Sequence, residues 1–142
     1  MAGFKGTGTC KAALNSILQA SGSAYWALMT AAPTAAGGGT EVSAADYARV
    51  AVTLNSTNFP NAVSPSVGTT GTASSANATL QTISSGTTHD WGTVVGVALV
   101  TTASGALGTS DILYYAPLSS SRTILTGDPV AIPIGAFIAT EV

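Results

Sequence analysis

His89 beside Asp90 is the only histidine–carboxylate neighbour pair in the chain, and a serine would complete a nucleophilic triad with them. The spacing argues against it. Residues adjacent in sequence point to opposite sides of a strand, and no Gly-x-Ser-x-Gly elbow presents a nucleophile. The pair reads as a turn leading into Trp91-Gly92. Metal chemistry has as little to work with. One histidine, one cysteine (Cys10) and six scattered carboxylates contain no short-spaced ligand set. Asp111 and Asp128 each open a strand, and Asp128 sits between Gly127 and Pro129 as a turn residue does. Gly37-Gly38-Gly39 lacks the Gly-Lys-Ser/Thr ending of a phosphate loop and reads as a flexible connection. No cofactor and no catalytic residue is expected.

The aromatics admit two uses. Tyr25-Trp26, Trp91 and Tyr114-Tyr115 have the makings of a sugar-stacking platform. In a small β-protein, however, one member of each adjacent pair must face inward, and tryptophan belongs to the core or to a subunit interface.

Charge is the scarcest commodity in this chain. Lysine and arginine number 4 and aspartate and glutamate 6, so 7% of the 142 residues are charged, against roughly 25% in an ordinary soluble domain. Four basic residues spread along the chain (Lys5, Lys11, Arg49, Arg122) leave no footprint for nucleic acid and no patch for a membrane surface. No apolar run approaches the roughly 18–20 residues of a spanning helix. The net charge of −2 supplies little repulsion between copies. That pattern suits a polypeptide packed against other polypeptides better than an enzyme. The first ten residues lack the apolar stretch of a signal peptide, so a chain made and kept in the cytoplasm until assembly is expected.

Only the segment Thr9–Gln19 has a helical signature, with Cys10, Leu14, Ile17 and Leu18 on one face and Ser21-Gly22 as the stop. The rest is strand and turn. Strands are predicted over Tyr25–Thr30, Tyr47–Leu54, Ala78–Ile83, Gly92–Thr102, Ile112–Leu118 and Val130–Thr140. Gly92–Thr102 is apolar almost throughout, as a centre strand is. Pro133 and Gly135 make the last run an edge strand or break it in two. Between Asn55 and Asn77 lies a long Ser/Thr/Asn/Gly/Pro-rich excursion. The expected fold is all-β: a single β-sandwich, jelly-roll or immunoglobulin-like, with one short N-terminal helix. Residues 1–22 would form an arm and helix, and residues 23–142 the sandwich.

Three stretches carry a resemblance. They are Tyr25-Trp-Ala-Leu-Met-Thr-Ala-Ala-Pro33, then Gly38-Gly-Thr-Glu-Val-Ser43 running to Asp46-Tyr-Ala-Arg-Val-Ala-Val-Thr53, then Trp91-Gly-Thr-Val-Val-Gly-Val-Ala-Leu99. With the later Leu113-Tyr-Tyr-Ala-Pro-Leu118 and the Gly127-Asp-Pro-Val130 turn, the chain resembles small bacteriophage virion proteins of the tail-fibre-like or head-decoration kind. In size and composition it is similar to phage cement proteins as well. The resemblance implies a virion structural protein, made in the host cytoplasm. It is read first as a capsid decoration or cement protein on the capsid surface, bound to the major capsid protein and to itself as a dimer or trimer. A tail or fibre component, such as an adhesin, is the second reading; a secreted carbohydrate-binding module is the third.

Partner contact is expected from the segment Ala2–Ser21 and the loop Asn55–Thr88. Phe4, Lys5, Lys11, Arg49, Asn58 and Phe59 are the candidate residues. Arg49 falls opposite the Val50/Val52/Leu54 face, so it points outward or to a partner, with Glu41 or Asp46 as its nearest counter-charge.

Overall fold

Continuous burial along two long apolar runs builds the core of the larger sheet. The computed structural model describes residues 5–64 and 72–142 and is all-β, with antiparallel sheets and one short N-terminal helix, consistent with the expected sandwich class. In chain order the elements are α1 (Thr7–Leu18), β1 (Ser23–Ala31), β2 (Thr40–Glu41), β3 (Val50–Thr53), β4 (Ala73–Ala76), β5 (Gln81–Ser84), β6 (Gly92–Val100), β7 (Ile112–Ile124), β8 (Val130–Ile132) and β9 (Ile138–Glu141). They fall into two compact units. The first draws on Met1–Gly22, Thr53–Thr79 and Pro133–Val142, the second on Ser23–Val52 and Leu80–Ile132.

In the second unit a five-stranded sheet runs β2-β1-β6-β7, with β3 also paired to β1. The β1–β6 register sets Trp26 opposite Leu99, Ala27 opposite Ala98 and Leu28 opposite Val97. Both faces of this pair are buried, which is why both runs are apolar throughout. On one face Ala27, Met29, Ala98 and Val100 lie fully buried beneath Tyr25, Leu107, Ile112 and Tyr115. On the other, Trp26 is fully buried and its indole N–H donates to Gln81 Oε1 at 3.2 Å, tying the large sheet to the β5–β8 pair. Gly96 has a specific duty: any Cβ there would collide with the Tyr115 ring that lies across it.

In the first unit α1 covers the β4–β9 pair. Cys10, Leu14 and Leu18 of the helix are buried, as are Phe59, Ala73, Phe137 and Ala139. Helix polar groups then hold the neighbouring chain. Asn15 Oδ1 accepts the Ala62 N–H at 2.8 Å, and Gln19 Nε2 donates to the Phe59 carbonyl at 3.0 Å. Asn77, 1% exposed, is the hub of this unit. Its amide donates to the carbonyls of Thr79 (3.0 Å) and Pro133 (2.9 Å), while its Oδ1 accepts the Phe137 N–H at 2.9 Å. Its backbone N–H and C=O bond Phe137 and Gly135. One buried side chain thus satisfies the irregular backbone that Pro133 and Gly135 create.

Several sequence expectations shift. The helix begins at Thr7, two residues before the expected segment, with Gly6 at its cap and no side-chain cap bond. The strand predicted over Tyr47–Leu54 shrinks to Val50–Thr53, because Tyr47 and Arg49 are drawn into side-chain bonds described below. The 55–77 excursion holds β4. β7 runs on to Ile124, past Pro117 and an exposed Ser119–Ser121 run that carries no alternation; among the described residues it pairs only with β6 and tolerates proline as an edge strand does. The final run breaks in two around Pro133, as expected.

Replacing Asn77 by alanine strands a buried N–H and two carbonyls, an expected loss of about 3 kcal/mol. Chemical denaturation of the Asn77→Ala variant checks this; a loss under about 0.5 kcal/mol would mean water replaces the side chain.

Candidate functional site

The segment from Thr40 to Arg49 holds the residues of the central sequence motif, and in the second unit they form one network. Glu41 sits at its centre, at the end of β2. Its Oε1 accepts from the Tyr47 hydroxyl at 2.7 Å, and the same hydroxyl accepts the Leu28 N–H of β1 at 2.8 Å. Arg49 grips both carboxylate oxygens, through Nε at 2.9 and 3.2 Å and Nη2 at 2.7 Å. Its remaining donors reach the loop after β6: Nη1 to the Thr102 carbonyl and hydroxyl at 2.8 Å each, Nη2 to the Gly105 carbonyl at 2.6 Å. The Arg49 side chain is 3% exposed. Hydrogen bonding to Glu41 raises its pKa, although burial opposes this. Burial pushes the Tyr47 hydroxyl far above its ordinary value, so it stays a donor.

Asp46 makes the second cluster. Its Oδ2 accepts the Thr88 N–H (2.5 Å) and hydroxyl (3.0 Å) and the His89 N–H (3.2 Å); its Oδ1 accepts the Trp91 indole N–H at 2.9 Å. Burial works against its charge, but the bonds from Thr88 and Trp91 prevail and hold the carboxyl far below the usual 3.8. The Trp91 ring meets Tyr47 edge to face, centroids 5.2 Å apart, which joins the two clusters. A carboxylate with four donors on it is a poor proton acceptor. Among the described residues no group of three histidine, cysteine or carboxylate side chains is placed to hold a metal ion. This arrangement locks three loops onto a sheet.

A family model described as Podophage GP4 fiber I protein gp80 matches residues 11–140. The chain belongs to this family. No curated protein matches, and no solved structure does. Members of the fiber I family are structural proteins of the phage, and this chain is a virion-associated structural protein. The motif residues that pointed to phage proteins (Glu41, Asp46, Tyr47, Arg49, Trp91) are the ones the network uses, so in this fiber I chain they bear on folding.

The candidate contact residues scatter. Phe4 and residues 65–71 of the expected contact loop lie outside the described residues. Lys5 is exposed and pairs with Glu141 at the end of β9. Lys11 is half-buried on α1. Asn58 is half-buried too, its amide donating to the Thr53 carbonyl at 2.9 Å and its Oδ1 accepting the Thr79 hydroxyl at 2.9 Å. Phe59 is fully buried, because the Asn55 side chain accepts the Thr57 and Asn58 N–H groups in a tight turn that folds the ring inward. Arg49 does not point outward: Glu41 and two loop carbonyls claim its donors inside this chain. Sequence reasoning missed the Asp46–Thr88–Trp91 cluster, whose members are over forty positions apart. The Trp91-Gly-Thr and Asp46-Tyr-Ala-Arg motifs were its only trace.

Two measurements test the network. Arg49→Ala leaves Glu41 unpaired at a mostly buried position and is expected to cost about 3 kcal/mol, roughly 10 °C in Tm; Arg49→Lys, which cannot reproduce the fork, recovers less than half. The second measurement concerns acid. Asp46 and Asp90, the latter lowered by the Thr126 N–H and hydroxyl, both have folded pKa values below their unfolded ones. Their stabilisation is therefore complete above the unfolded carboxyl range, about pH 4, and is lost as pH falls through the lower folded values. A Tm series from about pH 6 to pH 2 should decline, and Asp46→Asn should be less stable at pH 6 but flatter in acid.

Proposed function

We propose that this protein is a subunit of a podophage fibre, building the fibre by packing against neighbouring subunits. The family match over residues 11–140 carries this reading, since its description names a fibre protein. It is the reading favoured over capsid decoration, for which size and charge poverty are the support. The surface of the first unit fits the same role. Val63, Ile134, Ile138 and Val142 are exposed at 60, 67, 54 and 73%. The first three, with Pro60 and Ala76, line an open groove of about 370 Å³ that has no ionisable side chain. Exposed aliphatics gathered in this way mark a contact surface rather than a free one. The second unit complements this with loops held rigid by Glu41, Arg49 and Asp46, so a subunit keeps its shape under load.

The mechanism is mechanical and thermodynamic. A neighbour that binds only the folded subunit stabilises it by mass action, and a surface with so little charge costs little to desolvate. Counting copies in purified virions decides between the two structural readings. A quantified gel should show a few dozen copies or fewer, and immunogold labelling should fall on fibres. Hundreds of copies spread over the head would overturn the fibre assignment and restore decoration.

A further inference from the structure

Among the described residues, the strands at the rims of the sheets are two to four residues long, with one exception. β7 runs for 13 residues and closes the five-stranded sheet, with β6 on one side of it only. A long edge presents a row of backbone N–H and C=O groups that readily take up another strand, and proteins guard such edges with charge, proline or bulges. β7 is guarded at its far end alone. There Pro117 is followed by a bulge that sets Leu118–Ser121 against the single residue Val95. From Ile112 to Pro117 it has no charged side chain. We propose that this edge pairs antiparallel with β7 of a second copy of the chain, across a two-fold axis near Tyr115. The pairing rests on the fibre reading for the choice of a like subunit as neighbour.

The edge itself selects a strand as its occupant, since backbone groups in a row are matched only by another such row. Charge selects the direction and the register. Asp111 immediately precedes β7 and is held opposite Thr101, whose N–H donates to its carbonyl at 2.8 Å; Arg122 stands opposite Val94. Tyr115 stands opposite Ala98, three residues from Thr101 and four from Val94, so it lies close to midway between the two charges. A two-fold axis there lays Asp111 of each copy beside Arg122 of the other. Parallel pairing in register would instead bring like charges together. Arg122 is exposed and takes part in no ion pair among the described residues, so its charge is open to a neighbour.

Charge pairs at the two ends fix register and orientation more than they add affinity, and the uncharged stretch between them supplies the backbone hydrogen bonds. Because the same strand serves both copies, the contact closes on itself as a dimer. Further growth then uses a different surface, and the aliphatic groove of the first unit is free for it.

The test uses the full chain in solution, by sedimentation from about 1 µM to about 1 mM and by amide hydrogen exchange at both ends of that range. A reversible dimer is expected, with exchange slowed at high concentration in the 112–117 amides. Arg122→Glu sets two acid pairs against each other and should raise the dissociation constant at least about tenfold at low salt, an effect that shrinks in about 1 M salt. Arg122→Lys should stay within about threefold of the parent. Ile138→Lys, in the groove of the first unit, should leave the dimer intact. A monomer at every concentration, a stoichiometry other than two, protection mapping elsewhere, indifference to Arg122→Glu, or loss of the dimer in Ile138→Lys each overturns the proposal. Copy number and labelling of virions are unaffected by these outcomes, so the fibre assignment is judged separately.

Discussion

Glu41 is a single carboxylate in a two-residue strand, yet three parts of the second unit converge on it. Tyr47 carries the connection to β1 through the Leu28 N–H, and Arg49 carries it to the loop after β6 through Thr102 and Gly105. The guanidinium is almost wholly removed from water, so its charge is tolerable only while the carboxylate and the carbonyls remain in place. That mutual dependence makes the arrangement all-or-none. Loops that would otherwise fray are committed together to one geometry.

The same logic governs the other acids. Asp90 accepts the Thr126 N–H, Asp111 the Gly108 N–H, Asp128 the Leu125 N–H, Asp46 those of Thr88 and His89, and Glu141 pairs with Lys5. All six carboxylates are therefore engaged within the chain, most of them fastening a turn. A polypeptide that spends its acids on its own loops keeps few for solvent, and its surface becomes hydroxyl-rich and aliphatic. Such a surface suits a protein that lives among neighbours. The charge-poor composition of the surface and the hydrogen bonds that stiffen the loops are two views of one allocation.

Two kinds of anchor divide the labour. In the second unit charged groups hold the loops. In the first, where the described acids and bases are few, amides do it: Asn77, Asn15, Gln19, Asn55 and Asn58 each bridge backbone segments. A neutral amide both donates and accepts, so it can serve a carbonyl and an N–H at once, as Asn77 does at a fully buried site. The described residues of that excursion, 55–64 and 72–77, are thereby tied to their neighbours by these amides.

The amino-acid order alone determined the all-β class, the helix face of Cys10, Leu14 and Leu18, the two-sided centre strand at Gly92–Val100 and the break at Pro133, because each follows from local periodicity or backbone geometry. It also determined kinship with phage structural proteins, through motifs that survive as text. Tertiary structure alone decided what those motifs are for. Alternation around Val50 and Val52 turned Arg49 outward on paper, but a guanidinium has five donors and follows its acceptors, which lie at positions 41, 102 and 105. Phe59 and Asn58 were expected at a partner contact because they lie in the Asn55–Thr88 loop, and an Asn55 turn folds Phe59 inward. Hydrogen-bond partners forty or more residues apart leave no period in a sequence, so where a polar side chain ends up is settled only when the chain has closed around it.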